Sequence, residues 1–165
     1  MSTTAKGHST VVVCPHCSAR NRVPAAARGA PRCGNCRNPV PWIVDTSDAD
    51  FTTVVDEATV PVLVDVWAPW CGPCRMVSPA LEQLATELAG RLKLVKINAD
   101  EAPEVSRRFE VRAIPTLILM LHGQVIDKQI GAAPAHALRS WLTAHLPSED
   151  VGPARVNNPP PGDRP

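Results

Sequence analysis

Hydrophobic and polar positions change period several times along the chain, and the changes outline its elements. Phe51, Val54, Val55 and Ala58 recur at i, i+3, i+4 and i+7 behind Ser47, Asp48 and Asp50. That spacing predicts a short helix, although its β-branched residues favour a strand by propensity alone. Val62–Trp67 is an apolar run interrupted only by Asp65, the pattern of a strand buried on both faces. Leu81, Leu84, Ala85 and Leu88 form a helical stripe that Gly90 can close, and Pro79 within it predicts a kink. Residues 92–97 read as a second strand and 103–109 as a short helix. Thr116–Leu121 and Gln124–Ile130 flank His122-Gly123, a hairpin signature. Pro134 then opens a last helix that carries Leu138, Trp141, Leu142 and Leu146 inward. Strand, helix, strand, then hairpin and helix predict an α/β domain: a mixed central sheet flanked by helices on both faces.

Composition adds boundaries to that outline. With 165 residues the chain can bury an ordinary core, and no apolar run is long enough to span a membrane. The net charge of +1 is a sum of opposites, +6 over residues 1–44 and −5 over the remainder. Near-neutrality argues against nucleic-acid binding by bulk electrostatics. The N-terminus, MSTTAKGHSTVVVC, lacks the apolar stretch of an export signal, so export is not expected. After Leu146 the chain is proline-rich with almost nothing to bury. These shifts divide it into a flexible N-terminus (1–10), a four-cysteine module (11–44), an α/β domain (45–146) and a disordered tail (147–165).

All six cysteines fall into CxxC pairs. Without an export signal, such cysteines read as metal ligands or catalytic thiols rather than structural disulfides. Cys14-Pro-His-Cys17, fifteen residues, then Cys33-Gly-Asn-Cys36 has the spacing of a four-thiolate zinc site. Between Cys14 and Cys36 the only sizeable apolar side chain is Val23. Hydrophobic burial therefore cannot organise this segment, whereas zinc binding makes site formation and folding one event. Four thiolates leave no open coordination position, so the zinc is expected to be structural. His16 reads as a solvated loop residue between two ligands. The alternative is two disulfides.

The third pair sits differently. In Val64-Asp65-Val66-Trp67-Ala68-Pro69-Trp70-Cys71-Gly72-Pro73-Cys74, a buried strand ends and a helix begins. Cys71 at the helix N-terminus faces unpaired N–H groups, which favour its thiolate and make it the attacking sulfur. Cys74, one turn further on, is the resolving thiol. Pro73 fixes the turn, and Gly72 lets a substrate chain approach closely. Asp65 breaks an apolar strand, so its carboxyl should titrate near neutrality and serve as the base that deprotonates Cys74. Lys96 on the next strand either compensates Asp65 or is a plain surface lysine. Ile114-Pro115 precedes a strand, where a cis peptide is plausible, and Trp70 is the tryptophan expected to touch clients.

WCGPC, with Asp65, Lys96, Pro79, Ile114-Pro115-Thr116, Gly123 and Gly131, resembles the thioredoxin family over residues 50–146. VCPHCSARNRVP and CGNC before it resemble the zinc-containing thioredoxin 2 type. The resemblance implies a thioredoxin fold preceded by a small zinc-ribbon-like module. It implies a protein-disulfide reductase, a thiol-disulfide oxidoreductase recharged by NADPH through thioredoxin reductase, with no bound organic cofactor. It further implies a cis Pro115 beside which the Ile114 backbone pairs with the substrate strand. Disulfide-containing client proteins are the expected partners, and a monomer is the expected state. An oxidase or isomerase, a zinc-dependent holdase and a redox sensor that loses zinc on oxidation are the competing functions.

Overall fold

The computed structural model describes residues 9–27 and 29–147. Most of the expected N-terminal segment and nearly all of the expected proline-rich tail lie outside the described residues. Two strands, β1 (Ser9–Val13) and β2 (Arg20–Pro24), pair antiparallel as a separate hairpin. The main sheet comprises β3 (Ile43–Thr46), β4 (Val62–Trp67), β5 (Lys93–Asn98), β6 (Thr116–Leu121) and β7 (Gln124–Ile130). Its order is β3-β5-β4-β6-β7, with β3, β5 and β4 parallel and β6 and β7 antiparallel. The expected thioredoxin fold, with its mixed sheet, is borne out.

Helix α1 (Gly72–Glu87) crosses from β4 to β5 and continues through Pro79. Helix α2 (Pro103–Arg108) starts at a proline, and α3 (Ala135–His145) follows Pro134. The stripe at Phe51–Ala58 forms a helical turn as its spacing predicts, but over Thr52–Asp56 it is wound as a π-helix. His122 and Gly123 both have positive φ, 49° and 74°, as a tight hairpin turn requires.

Strand alternation sorts the core into two layers. Leu63 of β4, Leu94 of β5, and Leu117 and Leu119 of β6 face Leu81 and Leu84 of α1 and Leu138 and Leu142 of α3. Val62, Val64, Val66, Val95, Ile97, Ile118 and Met120 face the opposite way, toward the Thr52–Asp56 turn and α2. Into that second layer run Val23, Val40, Trp42, Cys14 and Cys33. The four-cysteine module thus shares a hydrophobic cluster with the domain that follows it, a contact Val23 alone does not announce. Strand β3 also crosses the boundary expected near Asp45. Trp42, just before it and 1% exposed, donates its indole N–H to the Pro24 carbonyl at 2.9 Å and ties hairpin to sheet.

Lys93, at the start of β5, is wholly buried. Its Nζ donates to the Val54 carbonyl at 2.6 Å and lies 4.2 Å from the centre of the Trp42 ring. Burial lowers its pKa from 10.5 to about 8. The folded state therefore releases this proton before the unfolded chain does, so stability rises from about pH 8 toward 10.5. Urea melts at pH 8 and pH 10 should show that gain, and Lys93→Met should remove it. An equal gain in the variant would assign the slope to other groups.

Candidate active site and candidate metal centre

Strand β4 ends at Trp67 in the middle of the sheet and delivers Ala68, Pro69 and Trp70 to the start of α1. Cys71 is the N-cap of that helix, in extended conformation, and its Sγ accepts the Cys74 N–H at 3.2 Å. Proline inside the first turn costs no hydrogen bond, because those N–H groups have no intrahelical partner. Cys71 and Cys74 are joined as a disulfide with Cα atoms 5.3 Å apart, and both are buried with Ala68. Apart from its chain neighbours and its own helix backbone, nothing lies within 4 Å of where a Cβ on Gly72 would stand, so this side of the Gly72 backbone is open.

The Ile114–Pro115 peptide is cis and brings the Ile114 carbonyl oxygen to 3.8 Å from Cys71 Sγ. Trp70 is 69% exposed, with its indole N–H held by Asp100 Oδ2 at 2.9 Å. Met76, on the exposed side of α1, is 81% exposed and adds a second apolar surface. Neither Asp100 nor Met76 carries a signal in the sequence, since the first matters only by its bond to Trp70 and the second only by its exposure on α1.

Asp65 lies on the α1 side of β4, in alternation with Leu63 and Trp67, and is 1% exposed. Its Oδ1 is buried without a hydrogen-bond partner. Burial raises its pKa from 3.8 to about 6, the Lys96 charge pulls it down, and Glu82 pushes it up. Lys96 stands opposite Asp65 in the β4–β5 register, yet its Nζ is held by Ser78 Oγ at 2.8 Å and Glu82 Oε1 at 3.4 Å. It moderates Asp65 from a distance instead of neutralising it. Ser78 and Glu82, one turn apart on α1, are site-shaping residues that sequence reasoning missed. Only the i, i+4 spacing hinted at a common face.

At the other end of the molecule, the four remaining cysteines converge. Cys14, Cys17, Cys33 and Cys36 are free, with sulfur atoms all within 4.8 Å of one another and two cross-pair distances of 3.6 Å. Two backbone knuckles build the cluster by the same pattern. Cys14 N–H bonds the Ala19 carbonyl and Ser18 N–H bonds that of Cys14; Cys33 and Arg37 repeat this with Asn38 and Cys33. Ser18 and Arg37, each following the second cysteine of a pair, turn the chain with positive φ of 61° and 66°. Backbone N–H groups of Cys36 and Asn35 lower the Cys33 thiol to about 6, while burial pushes Cys14 up to about 11.

A tetrahedron of thiolates around a metal–sulfur bond of 2.3 Å has edges of about 3.8 Å. The sulfur cluster has that size, so these four residues could hold a metal ion. His16 is not part of the cluster.

Disulfide, helix start and cis proline together define a thiol-disulfide oxidoreductase. The thioredoxin family model matches residues 42–144, and the chain belongs to that family. It is 45% identical over 104 residues to a thioredoxin of Haemophilus influenzae, covering 63% of this chain and 97% of that protein. With thioredoxin 1 of a Nostoc species it shares 46% identity over 100 residues, 61% of this chain and 94% of that one. A chloroplastic thioredoxin M4 of Arabidopsis thaliana is 44% identical over 104 residues, 63% of this chain and 54% of the plant protein. The family match begins after the four-cysteine cluster.

Proposed function

We propose that the protein is a protein-disulfide reductase of the zinc-containing thioredoxin 2 type. The observation that carries the reading is a Cys71–Cys74 disulfide at the start of α1, reached from a strand that carries a buried Asp65 carboxyl whose Oδ1 has no hydrogen-bond partner. In the reduced protein, Cys71 thiolate attacks a client disulfide, forms a mixed disulfide and releases one client thiolate. Asp65 takes the proton of Cys74, and the Cys74 thiolate attacks Cys71 Sγ, releasing the second client sulfur as a thiolate and leaving Cys71–Cys74 oxidised. Thioredoxin reductase returns two electrons from NADPH to that disulfide.

Client chains lie across Trp70, Gly72 and Pro73, with the backbone of Ile114 beside Pro115 as their hydrogen-bonding edge. Lys96 holds Asp65 within range of neutral pH. A structural zinc ion bound by Cys14, Cys17, Cys33 and Cys36 supplies a tetrahedral crosslink between the two knuckles. The chain acts as a cytoplasmic monomer with no nucleic-acid partner. Its module (11–44) and redox domain (45–146) meet within β3. Among the described residues no helix is long and apolar enough to cross a membrane.

Asp65→Asn tests the proton step. Loss of a general base should slow mixed-disulfide resolution roughly a hundredfold at pH 7. The wild-type rate should climb through about pH 6, where Asp65 ionises, and the variant should lack that rise. Stability should move the other way. The folded pKa of Asp65 is raised, so its favourable contribution is complete below 3.8 and lost as pH rises through about 6. At pH 8 the asparagine variant should therefore be more stable, by on the order of 3 kcal/mol from that shift. Single-turnover kinetics and denaturant melts check both; an unchanged rate together with lower stability would make Asp65 a core residue without a catalytic part.

A further inference from the structure

We propose that Asn21 is the positioning residue of the four-cysteine site: its side-chain amide crosslinks the two knuckles and hydrogen-bonds the Cys33 thiolate that holds the metal. The inference rests on the zinc reading of that site. Asn21 occupies an inward position of β2, in alternation with buried Val23 and between exposed Arg20 and Arg22. A polar side chain facing inward must find partners. Asn21 finds three. Its Oδ1 accepts the Gly34 N–H at 2.9 Å, and its Nδ2 donates to the Ala19 carbonyl at 3.0 Å and to Cys33 Sγ at 3.5 Å. The orientation of the amide follows from chemistry, since only oxygen accepts from Gly34 and only nitrogen donates to a carbonyl.

The two knuckles share one backbone pattern but not their side-chain support. Cys36 Sγ accepts from Asn38 Nδ2 at 3.4 Å, and Asn38 occupies the place that Ala19 holds in the first knuckle. Among the described residues, side-chain amides reach the second pair of thiolates and not the first. Asn38 acts within its own knuckle. Asn21 reaches from the first half of the module into the second, through Gly34 and Cys33, and so fixes where Cys33 stands relative to Cys14 and Cys17. A donor on the sulfur also draws off charge that four thiolates around one divalent cation would otherwise concentrate. Outer partners of this kind typically change metal affinity ten- to a hundredfold.

The test uses the full-length reduced protein and reads metal, not turnover. Zinc transfer to the chelating dye 4-(2-pyridylazo)resorcinol should be on the order of tenfold faster from Asn21→Ala than from wild type. Asn21→Asp keeps an acceptor for Gly34 but has no donor for Cys33, so it should release zinc at least as fast. Wild-type rates in Asn21→Asp would overturn the bond to sulfur, and wild-type rates in Asn21→Ala would overturn the role altogether. Cobalt substitution separates positioning from mere folding. Removing an N–H donor from a thiolate shifts its sulfur-to-cobalt charge-transfer band to longer wavelength, expected in both Asn21 variants and in the surface variant Asn38→Ala. An unmoved band in all three sinks the inference. If wild type itself carries no zinc, the metal reading fails instead, and the two failures are told apart by that first measurement.

Discussion

Cys71→Ser is expected to abolish reduction of a protein disulfide, such as that of insulin, with NADPH and a thioredoxin reductase as electron source. The loss should be on the order of a thousandfold or more, the scale on which removal of a covalent nucleophile registers. Serine in place of the N-cap sulfur keeps the helix start intact, because its hydroxyl can accept the Cys74 N–H that the sulfur accepts now. The fold should therefore survive while the chemistry stops. Cys74→Ser separates the two steps. Cys71 still attacks, but the mixed disulfide has no resolving thiol, so clients should accumulate as covalent adducts visible on a non-reducing gel. Full turnover by Cys71→Ser would end the reductase reading, and adducts through Cys74 in the wild-type background would reverse the order of the two thiols.

The second large effect concerns the metal centre. Removing zinc from the reduced protein, or replacing Cys33 by Ser, should unfold the segment from β1 through Asn38, because metal binding contributes on the order of 10 kcal/mol to such a module. Of its described side chains, Cys14, Val23, Ala25 and Cys33 are buried in the shared core, and among these Val23 is the one sizeable aliphatic group. The damage should not stop at the module. Trp42 would lose the Pro24 carbonyl that its indole bonds, and Lys93 would lose the ring that covers its ammonium. A red shift in tryptophan emission and new protease cuts between residues 14 and 38 should follow chelation. Main-sheet amides of β4 and β6 should keep their protection from hydrogen exchange. An unchanged protease pattern in metal-free protein would show that the shared hydrophobic cluster suffices to hold the module, and a metal assay finding no zinc would remove the premise.

Much of this is legible in the chain as written. Each CxxC is a local feature, and its neighbours decide its chemistry. A buried strand running into Gly-Pro places one pair at a helix start, while the polar, core-poor flanks of the other two suit a metal site. Asp65 announces itself because it is the single break in an apolar strand. Other parts carry no local mark. Strand β2 is largely polar and β3 only four residues long, so neither shows a period; each exists because of the strand beside it. Lys96 cannot be told from a surface lysine until the parallel register sets it opposite Asp65 and α1 supplies Ser78 and Glu82 to hold it. Asn21 looks like any turn-flanking asparagine until a knuckle thirteen residues away presents Gly34 and Cys33 to its amide.

Spacing, then, determined by itself which cysteines could act together, where the helix begins and which carboxyl is buried, because those follow from backbone period and chain proximity. The tertiary structure alone decided that Asp65 keeps an oxygen without a partner, that Lys96 is drawn away from it, and that the four-cysteine module joins the core of the following domain through Trp42, whose ring covers Lys93. These depend on strand register and layer packing, which bring together residues that nothing in their own neighbourhood connects.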